Sequence, residues 1–279
     1  MIMDNNDPVL IAPDGCTPYR ASAVAPSTSR TRHLLGIWAH PDDEAYLSAA
    51  LMARTVEEGG RVTLVTLTDG EAGFPDDDPR PVDERAQLRR RELMSAMARI
   101  GVTDVRFLGL SDGRLAEQGG EPLVERIREL ICDIQPDVVV TFGPDGITGH
   151  DDHVHNSWAV TRAWAGIGIG DLWYAAKTQS WLDEWREVHD EFGVWMAGEP
   201  SGLDPDDAVL LLEPTGAELA RKRAVLGEHQ SQTTGIATAL GEDSYRSWIR
   251  QEAFRRPSLA DLATTVGSDP HRVLSGVVR

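Results

Sequence analysis

His40-Pro41-Asp42-Asp43-Glu44 and Gly149-His150-Asp151-Asp152-His153-Val154-His155 hold the residues of this chain best suited to chemistry, and each stretch follows an apolar run. An imidazole and a carboxylate three positions apart at a strand-to-helix turn, His40 and Asp43, can converge on one ion. A divalent metal needs at least one more ligand, and the second stretch offers His150, His153 and His155. Two histidines and one carboxylate, with the fourth position left to water, is a known arrangement for catalytic zinc. A closed structural site would take four protein ligands, usually with thiolates, which the two cysteines cannot supply. A single histidine at a strand end is more often a hydrogen-bonded loop residue than a ligand. Two clusters at the ends of separate strands of one sheet favour the metal, because helix capping by Asp43 and Asp152 leaves the histidines unmotivated.

For the two stretches to meet, the intervening chain must fold them to one edge. Residues 34–39 form a continuous apolar run of the kind found when both faces of a sheet are covered. Residues 44–58 carry Leu47, Leu51 and Val56 at helical spacing and stop at Gly59-Gly60, and residues 62–68 are a β-branched strand. Strand, helix, strand at this length predicts a right-handed βαβ unit with parallel strands. The pattern recurs with a helix over 82–100, a strand over 105–108, a helix over 122–134 and a strand over 138–142. Polar, Gly-containing loops follow each strand, at 40–43, 69–71, 111–113 and 143–155, and would crowd onto the carboxyl edge where open α/β sheets hold their sites.

Beyond His155 the periodicity weakens to helices over 157–164, 215–230 and 243–254 and strands over 172–177 and 209–213. The predicted fold class is therefore α/β, a Rossmann-like, mostly parallel sheet flanked by helices, with a smaller C-terminal α+β region. Residues 1–32, rich in Pro, Ser, Thr and Ala, read as a tail or strap. One domain spans 33–256, with its metal-binding α/β core over 33–165 and the C-terminal region over 166–256, and a tail follows over 257–279.

A formal net charge of -18 and a pI near 4.8 argue against nucleic-acid and anionic-membrane partners. The one basic run, 85–91, reads as the solvated face of a helix. Cys16 and Cys132 are too few and too far apart to suggest a disulfide framework, which points to a reducing compartment. No run approaches the roughly 18 apolar residues of a membrane span, and the amino terminus lacks the basic and apolar regions of a secretory signal. A cytoplasmic protein is expected.

His40-Pro41-Asp42-Asp43-Glu44 after an apolar strand, with Gly149-His150-x-Asp152-His153 after a later one, resembles the PIG-L or LmbE-like family of zinc-dependent N-deacetylases. The likeness extends to Thr68-Asp69-Gly70-Glu71-Ala72-Gly73, to Arg89-x-x-Glu92-Leu93 and to Leu108-Gly109-Leu110-Ser111-Asp112-Gly113-Arg114. It covers residues 34–157, more weakly 213–254, and departs at Asp151, where the family more often has proline. The resemblance implies one zinc ion held by His40, Asp43 and His153, with Asp42 as general base. His150 matches the residue that steadies the oxyanion or assists the leaving amine, Asp152 its orienting partner, and Arg89 and Asp112 the contacts to substrate hydroxyls or charged groups.

The implied reaction removes the acetyl group from an N-acetylated amino sugar, an N-acetylglucosaminyl conjugate whose aglycone stays open, by zinc-activated water. The partner is then a small molecule, with no nucleic acid and no membrane insertion; the oligomeric state is open, a homo-oligomer included. Three rivals fit less well. A nucleotide-binding module wants a Gly-rich turn after the first strand. A metal-dependent phosphoesterase more often uses two metals about 3.5–4 Å apart, and so more ligands. A non-catalytic metal-binding interaction protein has no use for a base such as Asp42.

Overall fold

The computed structural model describes residues 32–266. The strap read over 1–32 and residues 267–279 of the expected tail lie outside this range almost entirely. Strands β1 (His33–Trp38), β2 (Arg61–Thr68), β3 (Asp104–Leu110), β4 (Val138–Phe142) and β5 (Asp171–Ala176) run parallel. Every residue of β1 and β4 is buried, as their unbroken apolar runs require of strands covered on both faces. The short strands β6 (Leu210–Leu212) and β7 (Glu252–Arg255) extend the sheet antiparallel, giving the order β3-β2-β1-β4-β5-β7-β6. The α/β class with a parallel core and a less regular C-terminal part is as expected.

The connecting helices are α1 (Asp43–Leu47), α2 (Ala49–Glu57), α3 (Val82–Ala98), α4 (Leu115–Gln118), α5 (Gly120–Ile134) and α6 (Asp151–Ile167). They are followed by α7 (Gln179–Glu184), α8 (Arg186–Phe192), α9 (Gly216–Glu228), α10 (Gln230–Leu240), α11 (Glu242–Trp248) and α12 (Leu259–Val266). From β1 the chain winds outward through β2 to β3, then crosses back to β4 on the other side of β1. The strand order reverses between β1 and β4, so a crevice opens at their carboxyl ends. His40 follows β1 and His150 follows β4 into that crevice.

Several elements differ from the sequence expectation, each for a local reason. The single helix over 44–58 is broken at Ser48, whose Oγ donates to the Glu44 carbonyl at 3.0 Å and competes with the helical ladder. The Glu252 carboxylate accepts from Ala50 N (2.8 Å) and Leu51 N (3.0 Å), satisfying the buried N–H groups at the start of α2. The helix over 215–230 ends before His229, and that over 243–254 stops at Trp248, because pairing with β5 and β6 draws 252–255 into the sheet. His150, His153 and His155, expected on a loop, lie at the cap and in the first turns of α6. Residues beyond Arg256, read as tail, start α12, which packs on α6 and is tied down by Arg255 to Asp261 at 2.6 Å.

Cys132 lies half-buried in α5. No helix of the described residues is long and apolar enough to cross a membrane.

Candidate metal centre

His40 stands between two sets of partners. Its Nε2 lies 3.0 Å from Asp112 Oδ1 and 3.2 Å from Asp152 Oδ2. Those carboxylates are themselves held by backbone: Asp112 accepts from Ala72 N at 2.8 Å, and Asp152 from Gly113 N at 2.7 Å and Leu115 N at 3.0 Å. An acceptor pair on Nε2 places a ring proton there and turns Nδ1 to the crevice. His153 is fixed the same way. Its Nδ1 is 3.0 Å from the Gly146 carbonyl, which can only accept, so the Nε2 lone pair is the free one. A Phe142 ring stacked at 4.1 Å fixes its plane.

The two ring nitrogens that face the crevice meet: His40 Nδ1 and His153 Nε2 are 3.1 Å apart. Asp43 completes a triangle, 3.6 Å from His40 Nδ1 and 3.3 Å from His153 Nε2. Zinc bonds of about 2.0–2.1 Å in a tetrahedron set ligand atoms roughly 3.3 Å apart, so the three donors fit one such ion. Carboxylates that orient a ligand imidazole from behind are a common feature of metal sites. Two other groupings, His40 with His150 and His153 and a second grouping of His40 Nε2 with Asp112 and Asp152, also have ligand-like spacing, but His150 Nδ1 already accepts from Asp152 N and the two carboxylates are engaged by backbone N–H groups. Burial lowers the His40 pKa, yet the Asp112 and Asp152 hydrogen bonds outweigh it and raise it to about 10. A divalent ion would therefore bind Nδ1 in competition with a proton. Burial raises Asp43, and the His153 and His40 rings overcome this and hold it well below the carboxylate range.

Asp42 has φ 121°, a backbone conformation that is costly for any residue but glycine. Three contacts hold it there. Its N–H donates to Glu44 Oε2 at 3.0 Å, its carboxylate pairs with Arg89 Nη2 at 3.1 Å, and Arg89 also donates to the Pro41 and Gly70 carbonyls. Glu44 is in turn bonded to His229 Nε2 at 2.9 Å, both side chains fully buried. Burial pushes the Asp42 carboxyl up, Arg89 pulls it back and Asp43 adds to the rise, to about 6. A carboxylate near neutrality beside a metal ligand suits a general base.

His150 caps α6: its Nδ1 accepts from Asp152 N at 3.1 Å, leaving an Nε2–H. Burial and the neighbouring His40 and His153 lower its pKa, so it meets a substrate as a neutral donor. Asp152, matched to the orienting partner of His150, instead turns its carboxylate to His40. Arg89 and Asp112, matched to substrate contacts, line the crevice but hold Asp42 and His40. Asp151 is the first residue of α6 and exposed, a position that also suits proline, so the departure there leaves the geometry intact. Gly149 has φ +73°, and a Cβ on it would lie 2.5 Å from Ala197 Cβ.

The PIG-L family, described as GlcNAc-PI de-N-acetylase, matches residues 35–164. A 1D-myo-inositol 2-acetamido-2-deoxy-alpha-D-glucopyranoside deacetylase of Kineococcus radiotolerans is 32% identical over 253 residues, covering 73% of this chain and 69% of the relative. The chain belongs to the PIG-L family. A deacetylase of the same name from Thermobifida fusca is 30% identical, covering 74% of this chain and 85% of that one. The N,N'-diacetylchitobiose deacetylase of Pyrococcus horikoshii shares the fold, with TM-score 0.55, 19% identity and coverage of 81% and 83%.

In this PIG-L family member the His and Asp cluster opens into a cavity of about 760 Å³. Sequence reasoning missed Glu44 and His229 as partners, and Lys177, Trp181 and Trp248 as lining. His229 had one visible signal: the polar run His229-Gln230-Ser231-Gln232 interrupts a helical pattern. Ser231 donates to Glu92 through N (2.8 Å) and Oγ (2.6 Å), so the Arg89-x-x-Glu92 spacing lets one face of α3 serve both Asp42 and this run.

Proposed function

We propose that this PIG-L family enzyme hydrolyses the N-acetyl group of an N-acetylglucosaminyl conjugate, using one divalent ion, zinc in the first instance, bound by His40, Asp43 and His153. The observation that carries the proposal is the convergence of His40 Nδ1 and His153 Nε2 at 3.1 Å beside the buried Asp43 carboxylate. A bound divalent ion supplies Lewis acidity, lowering the pKa of water from about 15.7 towards roughly 7 and polarising a carbonyl.

The chain's own groups do the rest. Asp42, clamped by Arg89, accepts the proton of the attacking water and delivers it to the amide nitrogen as the C–N bond breaks, giving the free amine and acetate. The Nε2–H of neutral His150 donates to the oxyanion that develops on the carbonyl. Asp112 and Asp152 keep the His40 ring turned so that Nδ1 faces the ion. A phosphoesterase with two metals would need the second grouping around His40 Nε2, whose carboxylates are already satisfied.

Chelation followed by reconstitution tests this. Acetate and free amine should appear in equal amounts from an N-acetylglucosaminide, stop on metal removal and return with one equivalent of zinc. Full activity in metal-free protein would overturn the metal, and no acetate from any N-acetylglucosaminide would overturn the reaction.

A further inference from the structure

The cavity has a second character away from the His and Asp cluster. Its wall includes Trp181, Trp195, Trp248, Phe192, Met196 and Ile236. Five large apolar side chains are strongly exposed among the described residues, and two of them, Phe192 (36%) and Met196 (67%), line this one cavity. Exposed apolar groups gathered at the mouth of a pocket mark a binding surface more strongly than the same groups scattered singly.

Two of the three tryptophans, Trp181 and Trp248, present carbon to the cavity because their N–H groups are used elsewhere. Trp181 Nε1 donates to the Trp248 carbonyl at 3.0 Å, and Trp248 Nε1 donates to His189 Nε2 at 3.2 Å. The two indoles lie 24° from parallel at 6.4 Å, and Tyr46 meets Trp248 edge-on at 5.7 Å. Trp195 Nε1 is a buried donor without a partner. Lys177 Nζ donates to the Gln251 carbonyl at 2.8 Å and lies over the Trp181 face at 4.6 Å. This wall is attached to the catalytic loop: Met196 N donates to Thr148 O at 2.7 Å, and Ala197 packs on Gly149, next to His150.

We propose that this wall is an aglycone subsite for an apolar group, an aromatic ring or alkyl chain joined to the amino sugar, and not for a polyhydroxylated ring such as inositol. The inference rests on the deacetylase reading of the same cavity. A polyol ring can set its C–H face on an indole, but its outward hydroxyls would then meet Phe192, Met196 and Ile236, exchanging water for carbon and staying unpaired. An apolar group loses nothing there and gains a stacking surface.

The test uses the zinc-loaded full chain and four glycosides of N-acetylglucosamine, carrying methyl, phenyl, hexyl or inositol groups. Phenyl and hexyl glycosides should show kcat/KM at least about tenfold above methyl and inositol glycosides. In the Phe192→Gln, Met196→Gln double variant the phenyl-to-methyl ratio should fall towards one; a misfolded variant would lower both rates and keep the ratio. Acetate release that is equal for all four, or best for inositol, overturns the subsite while deacetylation stands. If no glycoside yields acetate, deacetylation itself fails. Tryptophan fluorescence then reads the wall alone: quenching by phenyl glycoside that the double variant lacks supports the subsite, and no quenching overturns it.

Discussion

At the scale of single residues, the roles of Asp42 and His153 separate cleanly, because one holds a proton and the other holds the ion. Asp42→Asn should keep its metal and lose about 10²–10⁴ in kcat, read by acetate release alongside elemental analysis; unchanged turnover would remove Asp42 as base. His229 acts at one remove, through Glu44 and the strained Asp42 backbone. His229→Ala should lower kcat about tenfold with KM and metal content unchanged, while His229→Gln, which can still donate to Glu44, should recover most of it. Equal losses in both variants would assign His229 a purely structural role. His40, Asp43 and the histidines His150, His153 and His155 were legible as candidates because spacing brings them to strand ends, while the choice of His153 as ligand and the roles of Asp42 and His150 came only with the family resemblance. The Glu44 to His229 bond was not legible, since it joins positions 185 apart through a junction between two helices.

At the scale of elements, the approach of the segment around Ala197 explains the glycine that opens the second motif. Gly149→Ala places a Cβ against Ala197 at a positive φ, and should destabilise the fold by about 1–3 kcal/mol and lower kcat through His150. An unchanged urea midpoint would contradict the packing. Lys222 and Glu252, 2.7 Å apart and both fully buried, join α9 to β7 and to the start of α2. Lys222→Ala leaves a buried carboxylate unpaired and should cost about 3–5 kcal/mol, measured as a lower urea midpoint at unchanged slope. β1 to β5 were readable because long apolar runs and helical periods alternate there. β7 was not: it is a four-residue strand whose first residue is a buried carboxylate, and only its neighbours in the sheet make it one.

Across the whole molecule, the winding that reverses between β1 and β4 brings two sequence stretches to one crevice, and the C-terminal region closes the other side with aromatic side chains. His189 lies within that aromatic cluster, 4.8 Å from Trp181 and 4.5 Å from Trp195. Burial and the Lys177 ammonium push its pKa down to about 4. Between about pH 6.5 and 4 the unfolded chain binds a proton at this residue that the native state does not, so stability should fall as pH drops through that window. His189→Gln should flatten that part of the stability profile, measured on metal-free protein; an unchanged slope would show the ring to be protonated in the native state.

The claim on which the rest depends is that β1 and β4 deliver donors to one ion. Anomalous diffraction at the zinc edge from crystals of zinc-loaded protein measures it directly. The expected result is a single peak about 2.0–2.2 Å from His40 Nδ1, His153 Nε2 and an Asp43 oxygen. A peak among His40 Nε2, Asp112 and Asp152, or none in the crevice, would contradict it.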